Sequence, residues 1–321
     1  MFIKSIVAFF VALIICLLAY PKVIPFLRKI KYGQSIRLDG PQSHLKKSGT
    51  PTMGGIVFVL SSIVAVSLVN LSAYKNIEFV VIILCYIGYG LIGFLDDYLI
   101  VVKKNNDGLK ASYKFALQSL LAVLFFVLYQ RYGDNTISLP FTSITVDLKI
   151  LYFVLAFFML TGTSNAVNLT DGLDGLCAGM MIIALVPFGY FAYQLNKADI
   201  VILISSVIGS LVGYLKFNHN PAQIFMGDTG SLALGAMLAA IAIATKKEIA
   251  LIVIGGVFVA EAVSVILQVG TFKLTGKRIF KMAPLHHHFE LCGYKEKKIT
   301  KAFWLTGIIL AIIGLIMGVL G

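Results

Sequence analysis

ILYFVLAFFMLTGTSNAVNLTDGLDGLCAGMMIIALVPFGYFAY, residues 150–193, contains two apolar runs on either side of the island NLTDGLDGL at 168–176. Each run approaches the roughly 20 apolar residues a bilayer-crossing helix needs. A joint between two such segments requires neither two aspartates nor two glycines. The stretch therefore reads as a pair of membrane spans with a functional turn between them.

The pattern repeats along the chain. Apolar stretches near 2–21, 51–73, 77–96, 113–131, 150–168, 176–195, 199–216, 229–245, 249–270 and 302–320 give ten candidate spans. Of the 321 residues, 59% are hydrophobic and 13% charged, against about 25% charged in an ordinary soluble domain. The fold class this implies is an all-α integral membrane protein, a single polytopic domain over 1–321 with little room for a soluble unit. The first run lacks a small-x-small cleavage site and continues into Tyr20-Pro21 and a basic loop, so it is expected to be retained as a span.

The net charge of +12 does not require nucleic acid as a partner, because the basic residues are distributed by topology. Assigned to alternate sides, twenty of the 27 Lys and Arg fall in 22–50, 97–114, 271–301 and at Lys216, and seven fall on the other face. Positive residues accumulate on the cytoplasmic side. That side is thus the twenty-residue face, and both termini are extracytoplasmic. The four cysteines stand singly, without metal or redox spacing. Alternating apolar residues in RYGDNTISLPFTSITVD (131–147) predict a small hairpin.

Acidic residues gather at the same inner boundary: Asp96-Asp97 in GFLDDY, Asp171 and Asp174 in the opening island, Asp228 in FMGDTGS. Crowded carboxylates repel, and a divalent cation relieves the conflict. All-oxygen ligands favour a hard ion, Mg²⁺ above all. Adjacent Asp96 and Asp97 on a helix point about 100° apart, so they are expected to do different work. Asp171 and Asp174, three apart, share a face if a helix begins at Asp171.

Three even-numbered spans follow GTPTMGG, TDGLDG and MGDTGS, and helix N-termini there favour phosphate. Lys47, Lys103, Lys104, Lys110 and Lys114 add positive charge for the same ligand. His286, His287 and His288 are too close in sequence for one zinc ion and read as contacts to phosphate or sugar at the mouth. Glu261, well inside the ninth span with Gln268 two turns on, reads as a helix-packing hydrogen-bonding group. Gly255-Gly256 and Gly270 are expected to let that span bend and open an apolar groove.

Five motifs in order, GTPTMGG (49–55), GFLDDY (93–98), NLTDGLDGL (168–176), NHNPAQIFMGDTGSL (218–232) and PLHHHFE (284–290), resemble those of the phospho-N-acetylmuramoyl-pentapeptide transferases. These belong to the polyprenyl-phosphate N-acetylhexosamine-1-phosphate transferases, and the likeness covers most of the chain. The resemblance implies Mg²⁺-dependent transfer of phospho-MurNAc-pentapeptide from UDP-MurNAc-pentapeptide to undecaprenyl phosphate. The products are lipid I and UMP, made in the bacterial inner membrane among membrane lipids, and a homodimer is compatible with it. By motif, Asp96, Asp97 and Asp228 match the essential acidic residues, with Asp228 the metal ligand and Asp171 a second candidate. Lys47, Lys114, Asn168, Asp171, Asp174, Asn218, His286, His287 and His288 match substrate-binding positions.

Two routes remain open at this stage. In one, an aspartate, with Asp97 preferred, deprotonates or orients the lipid phosphate for direct attack. In the other, an aspartate forms a phosphoryl-enzyme intermediate. A UDP-GlcNAc-specific sister enzyme is the main rival. An intramembrane aspartyl protease explains the paired aspartates but not Asp171, Asp174, the lysines or the histidines. A proton-coupled transporter needs acids at mid-membrane, where only Glu261 qualifies.

Overall fold

The computed structural model describes residues 1–30, 49–103, 108–142 and 144–320. Lys47, Lys104 and the side chain of Lys103 lie outside the described residues. The helices are α1 Phe2–Ile30, α2 Gly55–Val69, α3 Ile77–Lys103, α4 Ala111–Tyr129, α5 Leu151–Thr170 and α6 Leu176–Gln194. They continue with α7 Ala198–Asn218, α8 Gly227–Ala244, α9 Glu248–Ile254, α10 Gly256–Thr275, α11 Leu285–Leu291 and α12 Glu296–Leu320. Strands β1 Thr136–Ser138 and β2 Thr145–Asp147 pair antiparallel, Thr136 opposite Asp147, as the hairpin the alternation predicted.

Among the described residues nine helices are long and apolar enough to cross a membrane, one fewer than the ten expected. The difference is α2. Its 15 residues rise about 22 Å, short of the roughly 30 Å apolar core of a bilayer. It starts late because the chain at 51–55 is tied to the segment before α8 by backbone hydrogen bonds. Phe225 N–H donates to Pro51 O (2.8 Å), Gly54 N–H to Phe225 O (2.9 Å) and Gly55 N–H to Met226 O (2.9 Å). The ninth span breaks at Gly255 into α9 and α10, as its glycines suggested.

Helix α8 is the centre of the bundle, with every residue from Thr229 to Ala244 buried. A helix apolar all round belongs in a core, and this one is built of small residues that let neighbours come close. A Cβ on Gly93 of α3 would stand 2.1 Å from Asp228 O, and one on Gly235 would stand 2.6 Å from Ser164 Cα of α5. The backbone of α3 is thereby pressed against the start of α8, beneath the candidate site. The other end of the bundle holds the start of α1, where Lys4 Nζ donates to Asn70 Oδ1 (3.2 Å), and the close of α12. Both chain termini thus lie opposite the site.

Candidate active site

Four elements meet at one end: the last turns of α3 and α5, and the first turns of α4 and α8. Asp96 and Asp97 diverge from α3, as their helical spacing requires. Asp97 is buried and turns under α8. Its Oδ1 accepts the Asp228 N–H (3.2 Å), and its Oδ2 accepts the Thr229 N–H (3.0 Å) and the Thr229 hydroxyl (2.6 Å). It therefore caps the helix that carries Asp228. Gly227 is required here, because its φ is +72° and a Cβ would stand 2.5 Å from Asp97 Oδ2.

Asp96 faces α4. Its Oδ1 accepts the Leu109 N–H (2.8 Å), and Lys114 Nζ stands 3.4 Å from its Oδ2. The same ammonium is bonded to Asp228 Oδ2, while Asn168 Nδ2 donates to Asp228 Oδ1 (2.8 Å) and to Ser231 Oγ (2.9 Å). Asp228 keeps 23% of its side chain exposed and is the carboxylate that faces outward.

Asp171 follows α5 at partial exposure. Burial first, then the Asp228 and Asp97 carboxylates, push it up to about 7, with the Gly227 N–H pulling the other way. Among the described residues Lys114 is the one ammonium bonded to this group of four carboxylates, and it reaches two of them, Asp96 and Asp228.

Asp171 and Asp174 do not share a helical face. α6 starts only at Leu176, after Gly175 at φ +73°, and the two side chains leave a turn in different directions. Asp174 Oδ2 accepts Asn220 Nδ2 (3.0 Å) and the Ala222 N–H (3.0 Å), and its own N–H donates to Glu296 Oε1 of α12 (2.7 Å). Asn218 accepts the Gly175 N–H (3.0 Å) and donates to Ile224 O (2.9 Å). Both fix the chain around the site rather than opening into it.

The helix N-termini expected to hold phosphate have their first amides occupied by protein acceptors. At α2 these are Phe225 O and Met226 O, before α6 they are Glu296 Oε1 and Asn218 Oδ1, and at α8 they are the Asp97 oxygens. Anion neutralisation at this end therefore falls to side-chain cations.

The histidines sit on α11 with distinct surroundings. His286 is fully buried, its N–H and Nδ1 each 3.2 Å from Glu261 Oε1. Glu261, read as a helix-packing hydrogen-bonding group, makes that bond to His286, because α11 folds back over α10. His287 Nδ1 lies 2.8 Å from Glu290 Oε2, and His288 Nδ1 accepts the Lys281 N–H (3.1 Å). Sequence reasoning missed Thr229 and Ser231, although both stand in the GDTGS motif within a turn of Asp228. It also missed Glu296, which carries no local signal because its partners come from 174 and 220.

No three His, Cys, Asp or Glu side chains gather in metal-holding geometry among the described residues. The site nevertheless fits Mg²⁺, which takes one or two carboxylates and completes its shell with water and phosphate oxygens. Asp228 and Asp171 would be its ligands, and the Asp228 and Asp97 charges, which add to the larger effect of burial on Asp171, are the part a divalent cation would offset.

The sequence profile of glycosyl transferase family 4 matches residues 79–246, and signature 1 of the phospho-N-acetylmuramoyl-pentapeptide-transferases matches 47–59. Proteins named phospho-N-acetylmuramoyl-pentapeptide-transferase are similar over nearly the whole length. That of Bacillus subtilis is 52% identical over 305 residues, 94% of each chain. That of Bacillus cytotoxicus is 51% identical over 311 residues, 96% of each. That of Staphylococcus carnosus is 48% identical over 313 residues, 96% of this chain and 98% of its own.

Proposed function

The chain belongs to the phospho-N-acetylmuramoyl-pentapeptide transferases, and on that premise we propose the reaction and the residues that carry it. It is a transferase, and its donor is UDP-MurNAc-pentapeptide, its acceptor undecaprenyl phosphate, and its products lipid I and UMP. The protein sits in the bacterial inner membrane with the site facing the cytosol and both termini outside, in keeping with the lysine asymmetry.

The observation that carries this reading is the gathering of Asp96, Asp97, Asp171 and Asp228 at one end of the bundle, with Lys114 bonded to Asp96 and Asp228. Such a site is built for a ligand that brings cations and phosphates together. An oxygen of the lipid phosphate forms a bond to the β-phosphorus of the donor, the P–O bond to UMP breaks, and UMP leaves with the electron pair. A phosphate monoester is already largely ionised at neutral pH, so direct attack needs no general base. Asp97, with three donors on its carboxylate, is then a positioning residue acting through the first turn of α8, and Asp228 is the group at the reacting phosphates. Lys114 and Asn168 hold Asp228 in place, and Lys114 and Lys47 neutralise phosphate charge. Mg²⁺ held by Asp228 and Asp171 would neutralise the pyrophosphate and align it.

The acceptor's tail has a place. An apolar cavity of about 350 Å³ lies between α5, α9 and α10, lined by Leu155, Phe158, Met159, Ile252, Phe258 and Val259 among others. It reaches Ala166, two residues before Asn168, so a tail lying there delivers its phosphate toward Asp228. Gly255, where α9 gives way to α10, lines this cavity.

The test supplies undecaprenyl phosphate and Mg²⁺ with either UDP-MurNAc-pentapeptide or UDP-GlcNAc and measures UMP release. Turnover of the muramyl donor, abolished by EDTA, is expected. Preference for UDP-GlcNAc would overturn the specificity, and activity unaffected by EDTA would overturn the metal.

A further inference from the structure

Glu261 and His286 form a buried pair that the reaction above leaves without a task. Both side chains are essentially inaccessible. Glu261 Oε1 accepts the His286 backbone N–H and faces its Nδ1, which fixes both the start of α11 and the plane of the ring. An acceptor engaged this way makes Nδ1 the protonated nitrogen and leaves Nε2 bare. Among the described residues neither Nε2 nor Glu261 Oε2 has a hydrogen-bond partner. A carboxyl group is costly at that depth and is not retained there for packing volume alone.

The bare nitrogen points at the turn that holds Asp171. A Cβ built on Gly172 would stand 2.1 Å from His286 Nε2, so this glycine exists where the imidazole presses on the backbone. The ring is braced from behind, because Glu261 lies on α10 and α10 is tied to the same segment a second time. Gln268 Nε2 donates to Phe280 O (2.9 Å), and its Oε1 accepts the Ile279 and Phe280 N–H groups (3.1 and 2.9 Å).

We infer that Glu261 is a positioning residue for the donor: by holding His286 against Gly172 it sets the turn that presents Asp171. This rests on the reading of Asp171 as part of the donor site. The acceptor's groove lies along other positions of α10, at Phe258, Val259, Ala262 and Val263, so the effect is confined to the donor.

The experiment measures KM for the nucleotide donor and for the lipid acceptor separately, in full-length protein. Glu261→Leu, which keeps volume and removes the acceptor, is expected to raise the donor KM about tenfold, with the acceptor KM within about twofold. Glu261→Gln, whose carbonyl still accepts both N–H groups, is expected to hold the donor KM within about twofold. Gly172→Ala displaces the ring from the other side and should match Glu261→Leu. Because both act on one contact, the double variant should be no worse than either alone.

An unchanged donor KM in Glu261→Leu, an equal rise in both KM values, or additive effects in the double variant would each overturn the inference. If Glu261→Leu does not accumulate, the other two decide. A raised donor KM in Gly172→Ala with none in Glu261→Gln supports the inference, and the reverse pattern overturns it. The donor used is whichever nucleotide sugar the wild type turns over, so a failure of the proposed substrate would appear first in the wild type.

Discussion

At the end of the bundle away from the candidate site, Lys246 Nζ donates to Asp134 O (2.7 Å), Thr136 O (2.8 Å) and Tyr129 OH (3.1 Å), and it stands 2.8 Å from Asp134 Oδ1. Its ammonium also lies 4.8 Å from the centre of the Tyr152 ring, whose hydroxyl donates to Glu248 Oε1 (2.5 Å). Lys197 likewise pairs with Glu78 at 2.5 Å and donates to Ala244 O (2.8 Å). At the site end, Lys114 bonds two of the four carboxylates, Asp96 and Asp228, and Asp171 is pushed up to about 7, by burial first and then by its neighbours. Asp134 moves the other way. Partial burial raises it, but Lys246 and Thr136 outweigh that and hold it at about 2. One end is closed by ions that satisfy each other, and the other, among the described residues, is short of positive charge. The first arrangement stabilises the fold, and the second is waiting for cations and a substrate.

The sharpest way to break this contrast is to exchange one carboxylate at the site for its amide. Asp228→Asn keeps the side chain's size and its place beside Asn168 but removes the charge that faces outward. Turnover should fall by roughly 10²–10³-fold or more, while the protein remains membrane-inserted and unfolds at a similar temperature. UMP release by the purified variant, compared with its thermal transition, is the measurement. A fully active Asp228→Asn would remove this residue from the site.

The opposite pattern is expected at the far end. Lys246→Met removes the ammonium from Thr136 O and from Asp134, whose carbonyl keeps the Tyr129 hydroxyl and whose carboxylate keeps Thr136, a loss of about 1–2 kcal/mol given the strength of hydrogen bonds to charged groups. The melting temperature should drop by several degrees in detergent or nanodiscs. Turnover per folded molecule should stay within about twofold, since stability and site chemistry are separable at this distance. A Lys246→Met protein that melts normally but turns over poorly would show that the two ends are not independent.

The sequence made some of this legible and concealed the rest for definite reasons. Local signals worked where one segment carries the information. Asp96 and Asp97 were expected to separate because adjacent helical residues point apart, and they do, one to Lys114 and the other to α8. The Gly255 break and the hairpin were visible for the same reason. What failed was anything that depends on which segment lies across from which. The glycine-rich starts of α2, α6 and α8 look like open anion sites, but their first amides are taken by Phe225 O, Met226 O, Glu296, Asn218 and Asp97, none of them a near neighbour in sequence. Asp174 looked like a twin of Asp171 until the turn ending at Gly175 sent it to Asn220 and Ala222. Glu261 was legible as a hydrogen-bonding group, but its partner was not, because His286 follows it by 25 residues. Apolar periodicity finds the spans, but it is blind to polar partners brought together by packing.

The smallest effect is the most specific to the charge imbalance. An acid whose folded-state value is raised, as at Asp171, lowers stability as pH climbs from its ordinary 3.8 toward about 7, because the folded state resists losing the proton. Asp171→Asn removes that cost. In metal-free protein above pH 7 it should raise the melting temperature by roughly 2 °C, with the gain fading as pH falls from about 7 and gone below about 4. In wild type, added Mg²⁺ should raise the melting temperature, because a cation binding only the folded form stabilises it by mass action. In Asp171→Asn that response should be weaker, so the two proteins converge as Mg²⁺ increases. An Asp171→Asn protein that is less stable without metal, or that responds to Mg²⁺ as wild type does, would mean that Asp171 supports the turn and that the imbalance is relieved elsewhere.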